Sequence, residues 1–235
     1  MDALILAAGQ GTRMGGIDKP KCLLDIGGIS IIKYQIKCLK NAGINKIFIV
    51  TGYHSELLRS HLSNDFVFLY NVDFATTNNL YSVWTAKDSI KDDFICIYGD
   101  LLFDKKILDN CIQDKNNVCL VVEKNIRGET MKVKIKNDSI IELNKSISEE
   151  DASGNFIGMA KFRKPIISLL FKEISKLVKD NNFNSYYTSA IESMIKDNQK
   201  INFVETKNLS WMDIDEKDEF QQAKKLFHEM SETNS

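Results

Sequence analysis

Residues 4–15 read Leu4-Ile5-Leu6-Ala7-Ala8-Gly9-Gln10-Gly11-Thr12-Arg13-Met14-Gly15. A short apolar run ending in glycines is what a buried parallel strand needs before it turns into a loop. Bare backbone N–H groups in such a loop can approach and cradle phosphate oxygens. Two common versions of the loop fail here. The dinucleotide spacing G-x-G-x-x-G puts Met14 where its third glycine belongs, and the second strand ends in Val50-Thr51-Gly52, with no acidic residue for a ribose. A Walker loop fails as well, because no Gly-Lys-Ser/Thr follows. What sets this turn apart is Arg13 inside it and Lys19-Pro20-Lys21 just beyond. Cations beside a polyanion cradle suit a nucleoside triphosphate under attack at its α-phosphorus. There, fixed positive charge stabilises the transition state more than the ground state. Leu6, Ala8, Gly9, Gly11 and Thr12 are therefore the expected triphosphate seat, with Arg13 and Lys21 as catalytic cations.

Outward from this turn, strands and helices alternate. Ser30 opens a helical pattern that Gly43 closes. Residues 46–50 form a second strand, 55–62 a helix, 66–70 a strand, 80–89 a helix, and 94–98 a buried strand ending in Gly99-Asp100. This spacing predicts an α/β fold with a doubly wound, mostly parallel sheet. After a helix over 104–111 the texture changes. Short β-branched runs at 118–123, 131–135, 140–143 and 155–162, separated by turn residues, predict a small antiparallel β elaboration in the second half. Helices at 166–178 and 187–197, a strand at 202–206 and a last helix over 216–230 complete the chain. A single domain over 1–230 is expected, with a nucleotide-binding half to about 115, an acceptor-binding half from about 116, and a polar tail over 231–235.

The 235 residues carry 31 Lys and Arg against 32 Asp and Glu, a net charge of -1, which gives no global electrostatic reason for nucleic acid as a partner. No apolar run approaches the roughly 20 residues of a membrane span. The five cysteines lack a C-x-x-C pair and sit in apolar surroundings, as reduced core thiols of a cytoplasmic protein do. Nothing in the sequence fixes an oligomeric state; a homodimer is allowed.

The opening motif, Gly9-x-Gly11-Thr12-Arg13-Met14 with Lys19-Pro20-Lys21 and Leu23-Leu24-Asp25-Ile26-Gly27-Gly28, resembles the nucleotidyltransferases that couple an NTP to a sugar phosphate or phospho-alcohol. The likeness continues through Lys40-Asn41-Ala42-Gly43-Ile44 and Ile49-Val50-Thr51-Gly52-Tyr53 and reappears at intervals to the final helix. It implies a GT-A-like α/β/α Rossmann-like sandwich with a mixed sheet. Nucleotidyl transfer calls for Mg2+, which one or two carboxylates hold together with phosphate oxygens. Asp100, leaving the carboxyl end of a buried strand, is the first candidate ligand. The resemblance supplies the second, Asp215 in Trp211-Met212-Asp213-Ile214-Asp215, with Asp213 as a helper; the other reading of Asp215 is a cap on the last helix.

Asn78-Asn79-Leu80-Tyr81-Ser82 resembles the phosphocholine and related cytidylyltransferases. This implies CTP, with Asn79 and Ser82 near the cytosine; the plain alternative is a helix N-cap at Asn78 or Asn79. Lys132 and Lys145 are candidates for the phosphate or phosphonate of a small acceptor, and Tyr187 and Glu192 for a cationic or amine-bearing group on it. The short stretch Arg13-Met14-Gly15-Gly16-Ile17-Asp18-Lys19 departs from that pattern and is similar to the molybdenum-cofactor guanylyltransferases. The expected reaction joins CTP to a phosphocholine-like acceptor with release of pyrophosphate. The alternatives are a sugar 1-phosphate with UTP, dTTP or GTP, a guanylyltransferase-like reaction, or a non-catalytic nucleotide-binding module.

Overall fold

Every residue of strand β1 (Asp2–Ala7) is buried, as a strand flanked on both sides must be. In the computed structural model, which describes all residues but 16, 17, 64, 129, 234 and 235 and the side chain of 233, β1 pairs in parallel with β2 (Ile47–Thr51) and β4 (Phe94–Tyr98). Strand β3 (Val67–Tyr70) extends the parallel set beyond β2. On the far side of β4 the direction reverses. Strand β9 (Gly154–Phe162) runs antiparallel to both β4 and β6 (Val118–Glu123), and β10 (Asn202–Glu205) joins β6 in parallel. The spatial order is β10-β6-β9-β4-β1-β2-β3, with a hairpin of β7 (Lys132–Lys136) and β8 (Ser139–Asn144) attached through β9. A separate two-stranded ribbon pairs β5 (Leu101–Phe103) with β11 (Trp211–Asp213).

The alternation of strand side chains builds two apolar layers. Leu4 and Leu6 face a core shared with Leu80 of α3 (Asn79–Trp84), Leu170 and Ile174 of α5 (Lys164–Lys179) and Ile191 of α6 (Thr188–Lys196). Ala3 and Ile5 face the opposite core, filled by Ile32 and Leu39 of α1 (Ile31–Asn41), Leu58 of α2 (Ser55–His61) and Leu108 of α4 (Lys105–Gln113). The result is the expected α/β/α sandwich. A third cluster gathers Met14, Leu24, Ile26, Leu102 and Ile214 against Ala223 of α7 (Lys217–Thr233). Met14, which breaks the dinucleotide spacing, is thus a buried anchor of the glycine turn, 1% exposed.

Three elements differ from the sequence reading. Helix α3 stops at Trp84, where Thr85 Oγ1 donates to the Ser82 carbonyl at 2.7 Å and the chain continues in tighter turns to Ser89. Helix α7 runs on to Thr233 and absorbs most of the tail expected to be irregular. The β5–β11 ribbon was not anticipated at all, and it is the element that assembles the site.

Candidate active site

The glycine turn leaves the carboxyl end of β1, and Gly99-Asp100 leaves that of β4 beside it. The Gly99 N–H donates to the Leu6 carbonyl at 2.9 Å and locks the two ends together. Gly11 takes φ +61°, and a Cβ there would meet Lys21 Cγ at 2.8 Å, so no other residue fits without displacing that lysine. At Gly9 a Cβ would meet nothing within 4 Å, so protein packing does not demand glycine there. The open space belongs to the cavity.

The β5–β11 register then carries the C-terminal segment to the same place. Asp213 pairs with Leu101, and the Ile214 N–H donates to the Asp100 carbonyl at 3.2 Å. Asp215 follows directly. Arg13 Nη1 donates to Asp215 Oδ2 at 2.8 Å, and Lys21 Nζ donates to Asp215 Oδ1 while lying 3.9 Å from Asp100 Oδ2. One ammonium therefore sits where two carboxylates distant in sequence converge. The helix-cap alternative for Asp215 does not describe its side chain. Glu219 instead accepts the Asp215 and Glu216 N–H groups, at 2.7 and 2.8 Å, at the start of α7.

The electrostatics follow from this crowding. Burial pushes the Asp100 carboxyl up to about 6; Lys21 opposes the shift, and Asp215 and Asp213 add to it. Burial also raises Asp213, only partly offset by Arg127, which lies 4.0 Å away. Two hard oxygen donors on one ammonium, one of them held above its ordinary range, fit a divalent cation such as Mg2+. Among the described residues no group of three or more His, Cys, Asp or Glu side chains gathers as a metal site on its own.

These groups line one side of a cavity of about 320 Å³ that also takes in Leu6, Ala8, Gly9 and Gly11. Thr12 does not line it; the residue is exposed on a short 3-10 turn, Thr12–Met14. Asn71, Asn79, Ser82, Tyr98, Lys145 and Tyr186 line the same cavity. Asn78 caps α3, accepting the Asn79 N–H at 2.8 Å. Asn79 is also committed within the protein. Its Oδ1 accepts the Tyr187 N–H at 2.8 Å. Asn79 thus straps α3 to the segment before α6 while still lining the cavity.

Of the acceptor candidates, only Lys145 reaches the cavity, its Nζ 3.1 Å from Tyr186 Oη and 4.7 Å from that ring's centre. Three expectations are corrected. Lys132 is buried with its Nζ donating to the Gly128 carbonyl at 2.7 Å, so it ties a loop instead of facing a ligand. Tyr187 is fully buried among Tyr98, Phe156 and Phe162; its neighbour Tyr186 is the tyrosine on the cavity wall. Glu192 lies outside the cavity lining, paired with Lys196 one turn on at 3.3 Å. Sequence reasoning missed Asn71, Tyr98 and Trp211, isolated residues with no spacing to mark them.

A cationic glycine turn facing paired carboxylates at the carboxyl ends of such a sheet places the chain among the enzymes that work on nucleoside triphosphates. Residues 3–157 match the MobA-like NTP transferase domain, and the chain belongs to that family. The chain is 30% identical to the CTP:phosphoglutamine cytidylyltransferase of Campylobacter jejuni, an alignment covering 92% of this chain and 96% of the relative. It is 27% identical to the choline-phosphate cytidylyltransferase of Streptococcus pneumoniae over 96% of each. In fold it is similar to the solved CTP:phosphocholine cytidylyltransferase of Streptococcus pneumoniae, with a TM-score of 0.80 at 23% identity over 96% of this chain and 98% of that one. No helix among the described residues is long and apolar enough to cross a membrane.

Proposed function

We propose that this nucleotidyltransferase joins CTP to a small acceptor bearing a phosphate or phosphonate and releases pyrophosphate. One observation carries the reading: Arg13, Lys21, Asp100 and Asp215 meet in one cluster beside the glycine turn, in a cavity that also takes in Lys145 and Tyr186. A module that only bound nucleotide would need the turn but not two carboxylates set against its cations. The cytidylyltransferase relatives support CTP as the nucleotide.

In the reaction, an acceptor oxygen that is already anionic forms a bond to the α-phosphorus. The bond from that phosphorus to the bridging oxygen breaks, and its electron pair leaves with pyrophosphate. No general base is required, since the attacking oxygen carries no proton. The turn seats the triphosphate by its backbone N–H groups, while Lys21 and Arg13 balance the charge that grows on the α-phosphate and the leaving group. Asp215 fixes where both cations stand. Asp100 and Asp215 would hold Mg2+, which when bound neutralises phosphate charge; two carboxylates leave room for phosphate oxygens in its coordination shell. Lys145 and Tyr186 face the acceptor end.

The test is pyrophosphate release with CTP, UTP, GTP, ATP and dTTP, each against phosphocholine, phosphoglutamine and glucose 1-phosphate. Turnover with CTP and a non-sugar acceptor is expected. Turnover only with UTP, dTTP or GTP and glucose 1-phosphate refutes the proposal.

A further inference from the structure

Gln35 of α1 is 0% exposed, and its amide faces the turn that carries Asp100. Its Nε2 donates to the Tyr98 carbonyl at 2.8 Å and to the Leu101 carbonyl at 2.7 Å. A carbonyl can only accept, so this end of the amide is the NH2 group, with one hydrogen for each. The two residues between those carbonyls are Gly99 and Asp100. Strand β5 pairs with β11 alone among the described residues, so its other edge has no ladder partner. Side chains of α1 take that place: Gln35 at Leu101 and, beside it, Tyr34, whose Oη donates to the Phe103 carbonyl at 2.8 Å. Gln35 Oε1, by contrast, is buried and finds no hydrogen-bond partner among the described residues. A methionine here would carry no orphan oxygen, but it would leave both carbonyls without this donor.

We infer that Gln35 is a positioning residue for the carboxylate pair: from α1 it sets the backbone that presents Asp100 and, through the β5–β11 ribbon, Asp215. The inference rests on the reading above that these carboxylates hold Mg2+. Gly99 is already fixed to β1, since its N–H donates to Leu6 and a Cβ there would meet the Leu6 carbonyl oxygen at 2.7 Å. The Asp100 carbonyl accepts the Ile214 N–H at 3.2 Å, and Leu101 is in register with Asp213. With Gln35 on the carbonyls at either side, the Asp100 backbone is held by β1, α1 and β11 together. A shift at Leu101 would carry Asp213 and Asp215 with it. Gln35 therefore acts on both carboxylates through the main chain and needs no contact with either. Groups that stand behind metal ligands in this way change metal affinity by roughly ten- to a hundredfold when lost.

The experiment compares the unaltered full chain with Gln35→Met and with Leu39→Ala, a core change on the same helix. The first readout is half-saturating Mg2+ for pyrophosphate release with CTP and the best acceptor of the panel above. The second is amide hydrogen exchange at Gly99 and Ile214, relative to Ile5 in the core strand, by NMR on the chain without metal or nucleotide. Gln35→Met is expected to raise half-saturating Mg2+ about tenfold, with kcat at saturating Mg2+ within about twofold, and to speed relative exchange at both amides about tenfold. Leu39→Ala is expected to lower the melting temperature by leaving a void and to move neither readout. A Mg2+ requirement in Gln35→Met that moves less than about twofold overturns the inference. So does relative exchange no faster than in Leu39→Ala, which makes Gln35 a packing residue. An unaltered chain inactive with every nucleotide refutes the functional reading, and exchange, which needs no substrate, then decides the positioning alone. If Gln35→Met does not fold, Gln35→Glu, the same shape with at most one hydrogen to give, takes its place with the same expected directions.

Discussion

Replacing Lys21 with methionine keeps most of the side chain's length and removes its charge. The Lys21 side chain is 13% exposed and its Nζ lies within 4 Å of both Asp215 and Asp100, so it acts in a partly desolvated site. At an effective dielectric of about 20, a unit charge about 4 Å away interacts with it by roughly 4 kcal/mol. Only part of a charge develops on the α-phosphate and leaving group, which lowers the difference between transition state and ground state to about 3 kcal/mol, the scale of one lost preorganised donor. The expected fall in kcat is on the order of a hundredfold, at a KM for CTP that changes much less. Steady-state pyrophosphate release with saturating acceptor and Mg2+ measures it, and a melting curve checks the fold. A fall in kcat below about fivefold would refute the argument that Lys21 stabilises developing charge.

Arg13, whose side chain is 58% exposed, makes the more exposed of the two contacts with Asp215. An exposed pair contributes little to stability, so Arg13→Ala is expected to leave the melting temperature nearly unchanged while lowering kcat and kcat/KM for CTP about tenfold. Asp215→Asn releases both cations and removes one candidate ligand; initial rates against Mg2+ should show a half-saturation at least tenfold higher, about 1.4 kcal/mol of binding. Asp100 sits at about 6, above its ordinary range, and only its ionised form can hold a cation. Apparent Mg2+ affinity is therefore full well above pH 6 and falls about tenfold for each unit below it, measured as Mg2+ activation from pH 5 to pH 8. Lys145→Met should raise the KM of the acceptor and leave that of CTP unaffected, a split readable in the same assay.

The parallel half of the sheet was legible because its strands are short apolar runs closed by glycine, and the helices between them repeat at 3.6. Arg13, Lys21 and Asp100 were legible because they flank such a strand end, where the topology leaves few places to go. The ribbon of Leu101–Phe103 and Trp211–Asp213 was not, since two three-residue strands are too short to display any period. Without it, the position of Asp215 came only from resemblance. Lysines at strand ends posed a second difficulty. Lys132 and Lys145 look alike in sequence, yet one ammonium finds the Gly128 and Lys145 carbonyls and the other lines the cavity beside Tyr186. Tyr186 and Tyr187 are adjacent, so only the exact start of α6 decides which is core, and helix boundaries are the least certain part of any sequence reading.

The two ends of the cavity are built on unequal foundations. On the nucleotide side, Met14 of the glycine turn and Ile214 beside Asp215 share one buried cluster with α7. The cations and their carboxylate are thereby fixed to the same packed body, and moving either would open a void in a core that tolerates few. On the side proposed for the acceptor, Thr130 and Met131 precede β7, Lys145 follows β8, and Tyr186 precedes α6. All four stand just outside regular elements, in connections whose sequence can change without disturbing a ladder. Chemistry at the α-phosphorus is the same whatever phosphate attacks it, so it belongs on the rigid part. The two cytidylyltransferase relatives are named for different acceptors, and the acceptor contacts proposed above fall on the part that is cheap to alter.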